Sequence, residues 1–429
     1  MKISVFTPFH LTDTKYLKEA YESLLKQTHK DWEWVLVLNG NALTQKPDLS
    51  FIKDSRVNIY SSVTTGNIGQ LKNYCCSKAI GEIVAEFDYD DILLPNCLEE
   101  VNKSFEDENI HFVYSNCCEF IVQPDGTWMP NTYGEYWGWR NRPFVYQDGK
   151  TERNLTEMIS WQPSAQMMRR IEWAPNHIRC WRKTSYDAIG GHNAELKVAD
   201  DHDLCCRTYL KYGERGMKLI DKCLYLYRVH PTNNVKLLNA EIQNQTHINY
   251  LNHTQSMAKK WADDNKLRCI DLGGRFGAWQ GYETVDLLDA DIICDLNKKW
   301  DFKDNSVGVI RASHIFEHLK NSIHSFNEAY RVLAPGGFLF LEVPSTDGRG
   351  AWQDPTHISF FNENSLWYYY NDFYAKFIRP MYKGRFQLAR KITWFPDDFH
   401  KDNNISILQA DFICLKPPYS DRQVGEKLI

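Results

Sequence analysis

Two blocks in which short apolar runs alternate with helical patterns limit the fold of this chain more than any other feature. The first block has apolar runs at 3–7, 34–38, 57–60 and 83–87 and helical patterns at 16–26 and 70–80. A second block of the same kind begins at Leu267 and continues to about Leu415. Such alternation is typical of a parallel sheet covered by helices on both faces. The sequence therefore predicts an α/β chain with two doubly wound domains.

A polar segment rich in asparagine and glutamine separates the two blocks. Residues 237–264 carry a loose apolar stripe with helical spacing, which predicts a helical linker over 236–265. The flanking domains are expected at 1–235 and 266–429, a division that suits a chain of 429 residues.

Regular alternation stops between residues 117 and 181, where aromatic side chains become frequent. Among them are Trp128, Tyr133, Tyr136, Trp137, Trp139, Trp161, Trp173 and Trp181. Sugar rings stack on indole rings, so this aromatic segment is a candidate binding site for a sugar acceptor. The alternative is that these rings pack an irregular subdomain, since large aromatic residues are core residues first.

Charge and cysteine content exclude several classes of protein. A net charge of −5 and a pI near 6.3 argue against broad nucleic-acid binding. Twelve cysteines without a Cys-x-x-Cys pair indicate reduced thiols, not a disulfide scaffold or a thiolate metal site. The sequence shows no export signal at its N-terminus and no apolar run long enough for a transmembrane helix, so we expect a cytoplasmic protein.

Aspartates follow the last apolar run of the first block. Asp88 and Asp90 come directly after residues 83–87, and strand alternation would place both on one side at the strand end. Two convergent carboxylates suit Mg²⁺ or Mn²⁺, which bridges to a substrate diphosphate. The pair alone is a weak signal, because a solvated acidic turn has the same sequence.

The motifs that surround this pair, taken in order, resemble those of the family-2 glycosyltransferases with the GT-A fold over about residues 1–235. They lie at 4–10, 23–28, 33–38, 66–69, 72–73, 79–82, 87–91, 189–191, 200–204 and 227–231. The resemblance implies inverting transfer of a sugar from a nucleotide-sugar donor to a glycan acceptor. It also implies a divalent cation, Mn²⁺ or Mg²⁺, that carries the charge of the leaving diphosphate.

The same resemblance assigns roles to individual residues. Asp201 matches the base that takes the acceptor's proton, and Asp90 and His230 match ligands of the cation. The donor-binding positions match Pro8, Phe9, Asn39, Asn67, Lys72 and Asp88. Asn39 stands where the family usually has an aspartate, which leaves the nucleotide of the donor open. The alternatives are that Asp200 or Asp201 is an ordinary helix N-cap and that His230 is a structural histidine.

A strand that runs into a glycine-rich turn opens the second block, at 269–277. The next strand, 283–286, ends at Asp286, an acid suited to a ribose diol. Only eight residues separate Gly277 from Asp286, so a full crossover helix does not fit. A dinucleotide needs the N-terminus of that helix for its pyrophosphate, so the spacing disfavours NAD and favours a nucleoside without phosphate.

Together with the segments that follow, residues 267–345 resemble a class I methyltransferase that uses S-adenosylmethionine, with a Rossmann-like fold. The most specific pieces are 317–319 and 331–337. The resemblance implies that Asp271, Gly273 and Gly277 line the methionine moiety, Asp286 the ribose and Asp295 the adenine.

Methyl transfer to a hydroxyl needs a base beside the sulfonium. His314 follows the fourth strand of the second block, and His357 lies in the loop after the fifth, so both are candidates. His318 fits a capping or packing role better.

The whole sequence predicts a bifunctional enzyme of polysaccharide biosynthesis, in which the first domain transfers a sugar and the second O-methylates a sugar hydroxyl of the same glycan. One alternative is a non-catalytic second domain that docks the acceptor or forms a homo-oligomer. Another is a glycosyltransferase that modifies DNA or nucleosides, which the acidic net charge disfavours.

Overall fold

Apolar runs rich in valine, isoleucine and leucine form the central strands of two separate sheets. The computed structural model describes residues 1–62, 67–132, 140–169 and 176–417. The chain divides into two units, Met1–Met257 and Ala258–Ile429, and each unit contains one of the sheets. The predicted α/β class of both domains is confirmed.

Among its described residues the first unit holds eleven strands, and most of its helices lie between two strands along the chain. The strands are β1 (Ile3–Phe9), β2 (Trp32–Leu38), β3 (Val57–Ser61), β4 (Ile83–Glu86), β5 (Ile92–Leu93), β6 (Phe112–Val122), β7 (Trp128–Asn131), β8 (Arg140–Asp148), β9 (Thr151–Ile159), β10 (Arg179–Arg182) and β11 (Met217–Arg228). The helices are α1 (Lys15–Leu25), α2 (Asn41–Gln45), α3 (Ile68–Lys78), α4 (Cys97–Ser104), α5 (Lys183–Ala188), α6 (Asp200–Tyr212), α7 (Asn234–Leu237) and α8 (Asn239–Asp264).

The order of the strands shows where a ligand can bind in this unit. The main path is β3-β2-β1-β4-β10-β6-β11-β5, and β1 is parallel to both β2 and β4. The chain order reverses between β1 and β4, and ligands of such sheets bind beyond the carboxyl ends of the strands at this reversal. Strand β10 lies antiparallel between β4 and β6, so the sheet is mixed.

The prediction that regular secondary structure is lost between residues 117 and 181 is wrong for the described part of this segment. Strands β8 and β9 pair antiparallel along their whole length, and β7 and β9 both pair with β6. Exposed and half-buried residues alternate along β8, the two-residue period of a strand with one solvated face. On β7, Trp128 stacks between Phe120 and Tyr146, at centroid distances of 4.1 and 5.8 Å. The aromatic residues at 133, 136, 137, 139 and 173 lie outside the described residues.

The second unit is built on seven strands. They are β12 (Arg268–Leu272), β13 (Glu283–Asp286), β14 (Ile292–Ile293), β15 (Val307–Ser313), β16 (Leu333–Pro344), β17 (Phe386–Trp394) and β18 (Ile407–Cys414). The helices that follow α8 are α9 (Ser322–Val332), α10 (Gly350–Gln353), α11 (Trp367–Tyr370), α12 (Asp372–Ala375) and α13 (Asp398–Asp402).

The strand order of this sheet is β14-β13-β12-β15-β16-β18-β17, with β18 antiparallel to its two neighbours and the other pairs parallel. The chain order reverses between β12 and β15, which marks a second edge for a ligand. Between β12 and β13, where every residue is described, the chain forms a single 3-10 turn at Gly274–Phe276. The prediction that no crossover helix fits there is confirmed.

Helix α8 lies inside the span 236–265 that the sequence predicts as a helical linker, and the division between the two units falls within this helix. The exact domain boundaries stay a prediction. All twelve cysteines are free and buried. Among the described residues, no helix combines the length and the apolar character needed to cross a membrane.

Phe326 on α9 tests the packing of the second core. Its ring is fully buried and stacks on Tyr369 at a centroid distance of 3.7 Å. Phe326→Ala leaves a cavity, so we expect the free energy of unfolding of the second unit to fall by about 3–5 kcal/mol. Calorimetry of the whole chain measures this as a lowered transition. Phe399→Ala, at a ring that is 66% exposed, is the control and should change stability by less than about 0.5 kcal/mol. Equal effects of both variants would contradict the packing.

Candidate active sites

Asp90 and His230 meet beyond the carboxyl ends of β4 and β11. The Nε2 atom of His230 lies 2.8 Å from Oδ2 of Asp90, and their side chains are only 13% and 10% exposed. The neighbouring Asp91 fixes this turn, because its carboxylate accepts hydrogen bonds from the Tyr225 hydroxyl at 2.7 Å and from the Arg228 N–H at 2.6 Å. The structure thus brings together the two residues that the sequence predicts as cation ligands.

Asp88 lies next to this pair, but not for the reason that the sequence suggested. Strand β4 ends at Glu86, so Asp88 and Asp90 lie in the turn after the strand, and the argument from strand alternation is wrong. Burial, together with the charges of Asp90 and Glu86, raises the pKa of Asp88 to about 7. This end of the sheet therefore carries more negative than positive charge.

A buried network of ion pairs lies behind these aspartates. Lys72 Nζ is 2.5 Å from Oε1 of Glu86 and 3.1 Å from Oδ2 of Asp200. Arg179 holds the other side of Glu86, with Nε 3.0 Å from Oε2, and its Nη1 donates to Oδ2 of Asp201 at 2.6 Å. The network joins β4, α3, β10 and the first turn of α6.

The two aspartates of α6 differ in their pKa values because their partners differ. Burial alone would raise the pKa of Asp201, but the positive charges of Arg179 and Lys72 outweigh it and lower the pKa to about 2. For Asp200, burial outweighs the charge of Lys72 and raises the pKa to about 6. Asp201 is therefore the carboxylate that is ionised throughout the neutral range. Neither is the N-cap of α6, which is Ala199.

The predicted donor-binding residues lie along the same edge of the sheet. The side-chain amide nitrogen of Asn39 donates to the carbonyl of Phe9 at 3.1 Å, and that of Asn67 donates to the carbonyl of Ala194 at 3.0 Å. The Phe9 ring is fully buried, and Pro8 is half-buried on β1. The ammonium of Lys72, expected to face a diphosphate, already has the two carboxylate partners described above.

In the second unit, Asp271 at the end of β12 is fully buried. Its Oδ2 accepts hydrogen bonds from Nη1 of Arg311 at 2.8 Å and from the N–H of Trp279 at 3.2 Å, whereas Oδ1 has no hydrogen-bond partner in the described ranges. Gly273 follows with φ +72°, and a Cβ there would lie 3.0 Å from Cβ of Ile315. A Cβ at Gly277 would meet nothing within 4 Å. The glycine-rich turn thus has accessible backbone at Gly277, and it follows a buried carboxylate whose Oδ1 has no hydrogen-bond partner in the described ranges.

The other predicted cofactor residues follow the neighbouring strands. Asp286 ends β13, and its Oδ1 accepts a hydrogen bond from the N–H of Leu287 at 2.6 Å. Asp295 follows β14, and hydrogen bonds from the Asn297 N–H and the Lys298 side chain lower its pKa. Both lie at the carboxyl edge that β12 shares.

His314 directly follows β15 in a strained conformation. Its φ is +52°, a value that costs a residue with a side chain about 1–3 kcal/mol and that is concentrated at functional sites. Its backbone N–H donates to the carbonyl of Glu342 at 2.8 Å, and its Nδ1 is 3.3 Å from Oε1 of Glu317. The interaction with Glu317 raises the pKa of His314 although burial opposes it. The ring is 47% exposed, whereas that of His357 is nearly buried.

Sequence reasoning missed three charged residues that form ion pairs with predicted site residues: Glu86 with Lys72, Arg179 with Asp201, and Arg311 with Asp271. Glu86 and Arg311 are charged residues within otherwise apolar strands, and this is the signal that could have found them. Arg179 gives a weaker signal, because it comes from the aromatic segment whose strands the sequence did not reveal.

Comparison with known proteins identifies two families in the chain. Residues 4–173 match Glycosyl transferase family 2, and residues 238–341 match the Methyltransferase domain family. The chain therefore combines a segment similar to family-2 glycosyltransferases with a segment similar to methyltransferases, as its motifs predicted.

Curated relatives resemble parts of the chain. Glycosyltransferase GlyG of Streptococcus pneumoniae is 33% identical over 116 residues, which are 27% of this chain and 38% of GlyG. Chondroitin synthase of Pasteurella multocida is 24% identical over 256 residues, 59% of this chain and 23% of that protein. This chain thus spans well under half the length of either relative. A solved structure of S. aureus TarS in complex with UDP-GlcNAc aligns with 61% of this chain and 71% of its own, at 16% identity and a TM-score of 0.43.

Glu86→Gln tests the buried network. The isosteric amide keeps the shape but removes the negative charge that Lys72 and Arg179 share, which leaves buried positive charge poorly compensated. We expect the free energy of unfolding of the first unit to fall by about 3–5 kcal/mol. Calorimetry of the whole chain measures it, with the exposed Glu108→Gln as the matched control. A loss below about 1 kcal/mol would show that Glu86 does not hold the network.

Proposed function

We propose that the chain is a bifunctional enzyme that transfers a sugar from a nucleotide-sugar donor to a glycan acceptor and O-methylates a sugar hydroxyl of the same glycan. Sugar transfer belongs to a domain over 1–235, methylation to a domain over 266–429, and 236–265 is the linker. One observation carries the proposal: a chain that matches two transferase families has acidic side chains at the carboxyl edge of each of its two sheets.

In the first domain, Asp90 and His230 would bind a divalent cation. A carboxylate and an imidazole are ligands that suit Mn²⁺, and the charges of Asp90 and Glu86, which add to burial in raising the pKa of Asp88, favour a cation here. When bound, such an ion supplies positive charge for the leaving diphosphate. These residues fit the group that the family implies.

Asp201 acts as the base for the acceptor hydroxyl. Its carboxylate is ionised in the neutral range, as a proton acceptor must be, and Arg179 holds it in one orientation. Direct attack by the hydroxyl oxygen inverts the anomeric carbon, and the proton goes to Asp201.

The donor binds along the edge formed by Pro8, Phe9, Asn39, Asn67, Lys72 and Asp88. Because the amide nitrogen of Asn39 is bound to the carbonyl of Phe9, its side-chain oxygen is left to accept a hydrogen bond from the nucleotide base. Lys72 contributes positive charge near the diphosphate. The acceptor is a glycan, as the name of the chondroitin synthase suggests by analogy.

In the second domain, the turn at Gly273 and Gly277 together with Asp271, Asp286 and Asp295 fits S-adenosylmethionine, which supplies the methyl group when bound. The buried and unpartnered Oδ1 of Asp271 suits the ammonium of a methionine moiety, and Asp286 suits the ribose diol. His314 is favoured over His357 as the base, since its ring is far more exposed.

Two substitutions should separate the activities. Asp90→Ala removes a cation ligand and should lower sugar transfer by about 10²-fold or more while methyl transfer stays unchanged. Asp286→Ala removes a charged hydrogen-bond acceptor and should raise the KM for S-adenosylmethionine by about 10–100-fold while sugar transfer stays unchanged. Mass spectrometry of reactions with a panel of nucleotide sugars, glycan acceptors and a labelled methyl donor measures both.

The controls for this pair are Asp107→Ala and Asp398→Ala, exposed aspartates of the first and second unit, which should change neither activity. If one substitution abolished both reactions, or if neither changed a reaction, the assignment of two sites would be wrong.

A further inference from the structure

Glu317, His318 and His357 form a cluster in the second unit, and the proposed function assigns none of them a catalytic or binding role. Glu317 and His318 belong to the 3-10 turn at Phe316–His318 after β15, and His357 comes from the segment after α10. One ligand atom from each residue lies within 4.8 Å of the other two. The centroids of the two histidine rings are 4.9 Å apart and the rings are inclined at 69°, so they meet edge to face instead of stacking.

The carboxylate of Glu317 lacks partners that its burial demands. Glu317 is 2% exposed, and in the described part of the chain neither carboxylate oxygen accepts a hydrogen bond. The nearest charged group is Nδ1 of His314, at 3.3 Å from Oε1. A carboxylate in such surroundings needs a cation or hydrogen-bond donors to offset the loss of water.

Both histidines are oriented as metal ligands are. The Nδ1–H of His357 donates to the carbonyl of Ala351 at 3.0 Å, and Nδ1 of His318 lies 3.0 Å from the hydroxyl oxygen and 3.3 Å from the carbonyl oxygen of Thr356. Because the Thr356 hydroxyl donates to Oδ1 of Asp354 at 2.6 Å, its oxygen accepts from His318. A ring N–H held by a backbone carbonyl fixes the tautomer and leaves the lone pair of Nε2 available. The closest acid to Nε2 of His357 is Oδ2 of Asp354, at 3.8 Å, which is too long for a hydrogen bond.

We propose that Glu317, His318 and His357 bind a divalent transition-metal ion such as Zn²⁺ or Mn²⁺. Two imidazoles and one carboxylate are a ligand set for such ions, and three protein ligands leave positions open for a substrate. Mg²⁺ and Ca²⁺ fit less well, because they prefer oxygen ligands throughout. The cation compensates the charge of Glu317.

The open positions of this ion hold the acceptor hydroxyl beside His314, a role that rests on the proposed methyltransferase function. His314 contacts Glu317, and Ile315 between them packs over Gly273 of the glycine-rich turn. The ion lowers the pKa of the bound hydroxyl. The hydroxyl oxygen then bonds to the methyl carbon, the carbon–sulfur bond breaks with its electron pair going to sulfur, and the proton goes to His314. His357 is thereby a ligand and not the base.

Zn²⁺ binding to the full-length chain tests the site without any substrate. The Asp90→Ala background removes the cation ligand proposed for the first unit. After removal of metal by chelation, equilibrium dialysis with metal analysis should find one Zn²⁺ per chain. Glu317→Gln and His357→Gln should each weaken binding by about 10–100-fold. The matched control is His324→Gln, a histidine on α9 outside the cluster, and it should bind as the parent does.

Thermal unfolding separates loss of the site from loss of the fold. Zn²⁺ should raise the Tm of the parent, since a ligand that binds only the folded state stabilises it. In Glu317→Gln, Zn²⁺ should no longer raise the Tm above that of the metal-free variant, and the metal-free Tm reports separately on the loss of the contact with His314. Binding and stabilisation that persist in Glu317→Gln and His357→Gln would overturn the site.

Methyl transfer then tests the role of the ion. Chelation should abolish methylation, and Zn²⁺ or Mn²⁺ should restore it. If the ion binds and its removal leaves methyl transfer unchanged, its role in holding the acceptor is overturned. If the ion binds and no methyl transfer occurs in any metal state, the proposed methyltransferase function fails while the metal site stands.

Discussion

The geometry of the candidate active site in the first unit depends on one buried carboxylate, that of Glu86. It lies between Lys72 and Arg179, and these two cations reach on to Asp200 and Asp201. Strand β4, helix α3, strand β10 and the start of α6 are therefore tied together by charge as well as by packing. The same contacts separate the pKa values of the two aspartates of α6, because Arg179 lowers the pKa of Asp201 while burial raises that of Asp200.

A shared feature of sheet topology explains where both sites lie. In each unit the strand order reverses beside the first strand, between β1 and β4 and between β12 and β15. Loops that leave neighbouring strands in opposite directions open a crevice at the carboxyl edge, and the acidic residues of each unit follow the strands that border it. The chemistry differs because the loops differ. A turn of aspartates follows β4, whereas a glycine-rich turn follows β12.

Sequence patterns revealed the two α/β blocks, the missing crossover helix after Gly273 and the two families, because these depend on local periodicity, spacing and motif order. The antiparallel ribbon of β8 and β9 escaped, since its polar exposed face hides the two-residue period among aromatic residues. The charged residues that form ion pairs with the predicted site residues escaped for another reason. Glu86 and Arg179 are distant in the chain, and only strand pairing brings them together. The cluster of Glu317, His318 and His357 escaped for the same reason, because only the folded loop that carries His357 brings that residue to the other two.

The central claim is that one polypeptide carries two separate binding sites, one for a nucleoside diphosphate with its cation and one for S-adenosylmethionine. Calorimetric titration of the wild-type chain tests this claim most directly. S-adenosylmethionine is titrated first, and a panel of nucleoside diphosphates with Mn²⁺ follows into the saturated protein. The account predicts one equivalent of S-adenosylmethionine and one equivalent of a nucleoside diphosphate, with neither ligand displacing the other. Competition between the two ligands, or no binding of either at millimolar concentration, would contradict it.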